Sequence, residues 1–271
     1  MARWQLDDIG WERFDAGKLD PGITRIVKAA ALVEYNGGAY ARHLCLVFAD
    51  DPEFRASAQR WGEEEIQHGR ALARWAALAD PGFDFAAAFA RFRDSFRVDF
   101  ECSRSRRGSR TGEMVARCVV ETGTSSYYRA LADAAAEPVL KEICRRIAAD
   151  EVRHYKLFRR TLERYRVREG VGFWRRLLVV LRRLAEARDD ELACAYYAAN
   201  EFNGRYDRRR CSRNYARHAF AVYREAHVAG AVKMLFKAAG LCANSRLCRA
   251  GERLAWQVMR RRALRLAALG A

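Results

Sequence analysis

Two short stretches of this sequence set a histidine three residues after a glutamate. Trp61-Gly-Glu-Glu-Glu-Ile-Gln-His-Gly69 holds Glu65 and His68, and Asp150-Glu-Val-Arg-His154 holds Glu151 and His154. Two more glutamates stand alone among uncharged residues: Glu34 in Ala29-Ala-Ala-Leu-Val-Glu-Tyr35 and Glu121 in Cys118-Val-Val-Glu-Thr-Gly-Thr124. Carboxylate and imidazole groups are ligands for divalent first-row metals. Four carboxylates with two imidazoles are a donor set for two such ions. A single E-x-x-H pair arises often by chance, so the argument rests on the repeat and its phase.

Phase decides which glutamates face inward. Phe54, Ala58, Trp61, Glu65, His68, Leu72 and Trp75 follow one another in alternating steps of four and three, which is one face of a helix. Glu63 and Glu64 fall off that line. Leu140, Cys144, Ile147, Glu151, His154, Phe158 and Thr161 repeat the design, again with the E-x-x-H pair at the centre of an apolar face. Glu34 precedes Glu65 by 31 residues and Glu121 precedes Glu151 by 30, so the chain reads as a duplicated helical hairpin. Four buried carboxylates facing each other each cost on the order of several kcal/mol to desolvate, and they repel one another. Two divalent cations cancel that charge. The candidate metal ligands are therefore Glu34, Glu65, His68, Glu121, Glu151 and His154. A ligating histidine usually gives its other N–H to a carboxylate, and pseudo-symmetry pairs Asp150 with His68 and Glu64 with His154. Trp61, one turn before Glu65, is expected beside the site.

The elements that must hold these residues are helices. Asp20-Pro21 and Asp51-Pro52 each read as an N-cap followed by proline at the first helical position. They predict helices from there to about Ala49 and to just before Asp80-Pro81. Residues 83–103 read as a helical connection ending in a basic loop. Thr111 is the expected cap of a third long helix, stopping near Glu137-Pro138, where a fourth begins and runs to about Arg168. Gly170 and Gly172 mark a break, and further helices are expected over roughly 173–200, 211–238 and 246–269. With 18 glycines, 4 prolines and no strand pattern, the fold class is all-α. The expected organisation is a four-helix bundle with a crossover over residues 1–168 and a C-terminal helical extension over residues 169–271.

The net charge of +16 predicts an acidic partner: nucleic acid, an anionic membrane surface or an acidic protein. Eight cysteines without a C-x-x-C pair, and no apolar leader, predict a cytoplasmic protein with reduced thiols. No apolar run reaches membrane-spanning length.

At the residues quoted above the chain resembles the soluble acyl-carrier-protein desaturases of the ferritin-like superfamily. The match includes W-x-x-E-E-x-x-H-G at Trp61, Glu64, Glu65, His68 and Gly69, the segment Ile143-Cys-Arg-Arg-Ile-Ala-Ala-Asp-Glu-Val-Arg-His154, and a threonine, Thr124, three residues after Glu121. It covers roughly residues 20–165. The resemblance implies a pair of iron ions (manganese suits the same ligands), O2 activation, an external electron donor, an acyl or other lipophilic substrate and a homodimer. It suggests Thr124 as a catalytic residue that relays a proton or steadies an oxygen intermediate, the alternative being ordinary helix packing with its hydroxyl bonded to the backbone. Acyl carrier proteins are acidic, and the basic loop Arg104–Arg110 is a candidate dock for one.

Two other classes stay open from the residues themselves. The same ligands would serve an iron-handling ferroxidase or a rubrerythrin-like peroxide-scavenging protein. The basic amphipathic stretch Phe173–Leu184, and the arginines interleaved with Tyr206 and Tyr215, would suit a membrane surface or a nucleic acid. His43, His218 and His227 are read as structural or surface residues. Tyr35, Tyr127, Tyr128 and Tyr155 are read as core packing near the site.

Overall fold

The computed structural model describes residues 3–96, 102–186 and 190–268. Among the described residues the chain is helical, with no strand. After three short 3-10 turns, α1 spans Pro21–Tyr35 and α2 Gly37–Val47. Asp20 caps α1 as expected, its side chain accepting the Ile23 N–H at 2.8 Å. The single helix expected to reach Ala49 is instead divided at Asn36. Asn36-Gly37-Gly38 has poor helix propensity, and tertiary packing uses the break. A Cβ on Gly37 would collide with the Glu65 side chain, and one on Gly69 would come within 2.7 Å of the Tyr35 backbone. The two glycines let the first helices lie close against the ligand-bearing helix.

That helix, α3, spans Pro52–Ala79. Its cap, Asp51, accepts the Phe54 N–H at 3.0 Å and also the Tyr165 hydroxyl at 2.8 Å, tying the start of α3 to the end of α6. The crossover contains α4, Phe85–Ser95. Residues 97–101 of the expected connection lie outside the described residues. α5 spans Arg110–Ala134. Its cap is Ser109, whose hydroxyl accepts the Gly112 N–H at 2.9 Å, and not Thr111. Thr111 lies inside the helix, and its hydroxyl donates to Glu169. α6 spans Pro138–Glu169. Glu137 caps it, accepting the Leu140 N–H and the Trp75 indole N–H, each at 2.7 Å. Gly170, at φ 62°, ends it in the left-handed conformation that glycine adopts without strain.

Beyond it follow α7 (Phe173–Glu186), α8 (Asp190–Asn200), α9 (Arg208–Ala221), α10 (Glu225–Ala239) and α11 (Arg246–Ala268). Residues 187–189 of the first expected span, 173–200, lie outside the described residues, and the second, 211–238, is two helices. The second is interrupted where the His227 ring accepts the Arg224 N–H at 3.0 Å and starts α10 afresh.

α1 packs along α3, α5 along α6, and α3 against α6. α8 lies on α1, and α7 and α10 lie on α5. Two apolar clusters result. One joins Leu72 and Trp75 of α3 to Ile143 and Ile147 of α6, with Tyr196 of α8 and Cys211 of α9. The other joins Phe54 and Trp61 of α3 to Phe158 and Leu162 of α6, with Val180 of α7 and Ala239 of α10. On both helices the E-x-x-H residues fall between the two clusters. The polar residues thus sit mid-length, closed off at both ends by packed side chains. No described helix is long and apolar enough to cross a membrane, and all eight cysteines are free.

Candidate metal centre

The four long helices bring all six candidate ligands together. Glu34, Glu65, His68, Glu121, Glu151 and His154 are all buried. They form two groups, Glu34, Glu65, His68, Glu151 and Glu65, Glu121, Glu151, His154, and in each group one ligand atom per residue lies within 4.8 Å of the others. Glu65 and Glu151 belong to both groups. His68 Nδ1 lies 3.3 Å from Glu151 Oε1 and 3.6 Å from Glu34 Oε2. His154 Nδ1 lies 3.0 Å from Glu65 Oε1 and 3.6 Å from Glu121 Oε2.

The outer nitrogens of both imidazoles are engaged elsewhere. His68 Nε2 lies 3.0 Å from Asp150 Oδ2, and His154 Nε2 lies 2.6 Å from Glu64 Oε2. Burial disfavours charge on Asp150, but His68 and Arg153 hold its carboxyl below the usual range; His154 does the same for Glu64. Ionised carboxylates only accept, so each Nε2 is the donor and each Nδ1 turns inward. Three residues that the sequence reading missed complete this shell. The Trp4 indole N–H donates to Asp150 at 2.8 Å, and its ring stacks on His68 at 6.0 Å. Arg153 bonds both Asp150 and Glu64, bridging the pseudo-symmetric halves. Arg3 Nε lies 2.9 Å from Glu64. Arg153 carries a signal, since it stands three residues after Asp150 on the same helix. Trp4 and Arg3 carry none, because they reach the site from the irregular N-terminal segment. Trp61 meets His154 edge-on at 6.4 Å. Tyr128, read as packing, donates its hydroxyl to Glu34 at 2.6 Å. Tyr155 does pack, bonding the Met234 carbonyl at 2.8 Å.

The electrostatics fit a cation. Burial, with Glu151 and Glu34 adding repulsion, pushes the Glu65 carboxyl well above its usual range. Burial and Glu151 push Glu121 up to about 8. Burial opposes the charge on Glu151 too, but the facing His68 and His154 hold it at about 2. Both imidazoles are raised well above 6.5: burial works against their charge, and the surrounding carboxylates overcome it. Without a cation, the cluster is a network that holds its charge down by sharing protons. One atom on each of the six residues has no hydrogen-bond partner among the described residues: Glu34 Oε2, Glu65 Oε1, His68 Nδ1, Glu121 Oε2, Glu151 Oε1 and His154 Nδ1. Buried polar atoms rarely stay unpaired. Here they converge in two groups that could hold a metal ion each.

The centre opens on a cavity of about 610 Å³, within the usual size for a small-molecule site. Glu34, Glu65, Glu121 and Glu151 form part of its wall, with Val33, Tyr40, Trp61, Phe96 and Val120. Thr124 lines it as well. Its hydroxyl reaches Glu151 Oε2 at 2.5 Å and the Glu121 carbonyl at 3.3 Å. Arg106 and Arg107 of the basic loop also line the cavity. His43 is buried on the cavity wall. His227 is tied to Asp133 at 2.9 Å, away from the centre. No protein-family model and no curated protein matches the chain.

Proposed function

We propose that this chain is a ferritin-like di-iron oxidoreductase, resembling the acyl-carrier-protein desaturases, that uses O2 to desaturate or oxygenate an organic substrate in the adjoining cavity. The observation that carries the reading is the convergence of six unpaired, buried ligand atoms, one from each predicted residue, with the four glutamates on the wall of that cavity. Glu34, Glu65, His68 and Glu151 would hold one ion and Glu65, Glu121, Glu151 and His154 the other, with Glu65 and Glu151 shared. Bound and reduced, an iron pair supplies the electrons and Lewis acidity that turn O2 into an oxidant of C–H bonds. Manganese would satisfy the same donors.

The protein's own residues supply geometry and protons. Asp150 and Glu64 hold the imidazoles by their Nε2–H, so that each Nδ1 faces the carboxylates and would offer its lone pair to a metal once its proton leaves. The Thr124 hydroxyl donates to Glu151 Oε2 across an oxygen–oxygen distance of 2.5 Å, on the cavity side, in position to pass a proton between that carboxylate and a bound substrate. Tyr128 orients Glu34 from the other side. The apolar clusters at both ends exclude water from the helix interior. An external donor supplies the electrons. The cavity favours an organic substrate over iron storage or peroxide removal, since those reactions need passage for an ion or a small oxidant only.

The test is anaerobic Fe(II) loading, followed by O2 uptake with candidate substrates. Wild type should take up near two irons per chain, and Glu65→Ala/Glu151→Ala close to none. Thr124→Val should keep its iron but lose the coupling of O2 consumption to substrate oxidation. If wild type takes up no specific iron, the reading fails; if O2 uptake yields only oxidised iron with every substrate, the ferroxidase account replaces it.

A further inference from the structure

One cation on the cavity wall makes no ion pair among the described residues. Arg117 lies on α5 one turn before Glu121, is 9% exposed, and lines the cavity. It makes no hydrogen bond or ion pair among the described residues. Its guanidinium lies over the Tyr40 ring at 4.9 Å and the Trp61 ring at 5.9 Å. These contacts leave every N–H of the fork unused. Its Nε is buried without a partner, and so are two ring nitrogens on the same wall, Trp61 Nε1 and His43 Nδ1. Glu191 also lines the cavity and attracts Arg117 at a distance, but its carboxylate accepts from Tyr40 at 3.0 Å and makes no ion pair with Arg117. Other arginines on the wall are matched where acids face them: Arg107 with Glu186 at 2.7 Å and Arg208 with Asp190 at 3.4 Å.

A buried, unpaired guanidinium is costly, and ring stacking offsets only part of that cost. Its planar fork matches a carboxylate in two-point geometry. We propose that Arg117, with the Trp61 indole N–H beside it, binds the carboxylate of the substrate, which is a free organic acid with an aliphatic or aromatic body. The proposal rests on the cavity being the substrate site of the dinuclear centre, and it narrows that substrate. A carrier-bound acyl group is a neutral thioester at this depth and leaves Arg117 unmatched. With its carboxylate at Arg117, the body of the acid runs along α5 past Val120 towards Glu121 and Thr124, which begin about 6 Å further along the helix axis. The arginines nearer the basic loop draw anions to the cavity.

The experiment compares binding of 4-fluorobenzoate and octanoate with their neutral amides, by fluorine NMR and calorimetry, on the full chain with and without bound metal. Iron content is measured on every sample. The acids should bind on the order of 30-fold more tightly than the amides, the usual size of a charged hydrogen-bonded pair. Arg117→Gln should abolish that preference and keep its iron. Arg117→Lys should fall between, and Arg261→Gln on exposed α11 should change nothing. Equal binding of acid and amide by wild type overturns the proposal, and this comparison needs no variant to fold. Unchanged acid binding by folded Arg117→Gln overturns it as well. An acid preference that depends on Arg117 in a chain that holds no metal would keep the carboxylate site and remove the dinuclear reading. Two irons without an acid preference would do the reverse.

Discussion

Asp150→Asn should weaken one metal position and spare the other. Asp150 Oδ2 receives both the His68 and the Trp4 N–H, and Oδ1 faces Arg153. An asparagine oxygen can replace Oδ2, and its amide then points at Arg153, a half-exposed side chain free to swing towards Glu64. Packing is therefore preserved. What disappears is the negative charge that polarises the His68 imidazole through its Nε2–H. Charge-assisted hydrogen bonds are about twice as strong as neutral ones, a difference of roughly 1–1.5 kcal/mol. That corresponds to about tenfold weaker binding at the position built from Glu34 and His68, the lower end of what such outer partners contribute. The position built from Glu121 and His154 keeps its own partner, Glu64, at 2.6 Å and should lose less than about threefold. Anaerobic Co(II) titration, followed by visible absorption, separates the two steps. Glu64→Gln should reverse their order. Two unchanged steps in Asp150→Asn, or an equal loss at both, would refute the assignment of one carboxylate to each imidazole.

The metal-free chain should lose stability as pH rises. Glu65, Glu121 and both histidines have folded pKa values above their ordinary ones, so the stability they contribute is complete below the unfolded pKa and fades as pH passes the folded one. For Glu121 that window runs from 4.5 to about 8. Melting temperatures of the apoprotein should fall across it, whereas metal affinity should rise as protons leave the ligands; an apoprotein that stabilises over the same range contradicts the buried cluster. Glu121→Gln should raise the melting temperature of the metal-free chain at pH 8 while removing metal uptake at the position built from Glu121 and His154, and a lower value in the apo form would count against the burial argument. Gly69→Ala places a methyl group against the Tyr35 backbone and should cost about 1–3 kcal/mol in denaturant melts, with neutral behaviour showing that α1 and α3 are not in close contact. Tyr128→Phe removes a 2.6 Å hydrogen bond to Glu34 and should cost about 1.5–3 kcal/mol, read by denaturant melts of the metal-free chain.

Much of the site was legible because helical phase is local. Steps of four and three residues fix which side chains share a face, and two E-x-x-H pairs on apolar faces leave few alternatives for Glu65, His68, Glu151 and His154. The single glutamates Glu34 and Glu121 were identified by their lack of charged neighbours. Helix starts were readable at Asp20, Asp51 and Glu137, where the cap bonds to its own backbone. Thr111 misled because two hydroxyl residues stand two apart, and the longer-range bond to Glu169 decides which one is left to cap. The break at Asn36 was missed because an apolar pattern continues through it; the close approach of Gly37 to Glu65 is a property of the packed pair.

By itself, then, the sequence determined that the chain is helical, where its main helices start, and which six residues share inward faces, since each of these depends on neighbours within one or two turns. The tertiary structure alone decided that Trp4 and Arg3 lock the outer carboxylates, that Tyr128 reaches Glu34 across 94 residues, and that Arg117 is left without an ion pair on the cavity wall. Such contacts join elements far apart in the chain. Their geometry is set by how whole helices pack, and no local spacing encodes it.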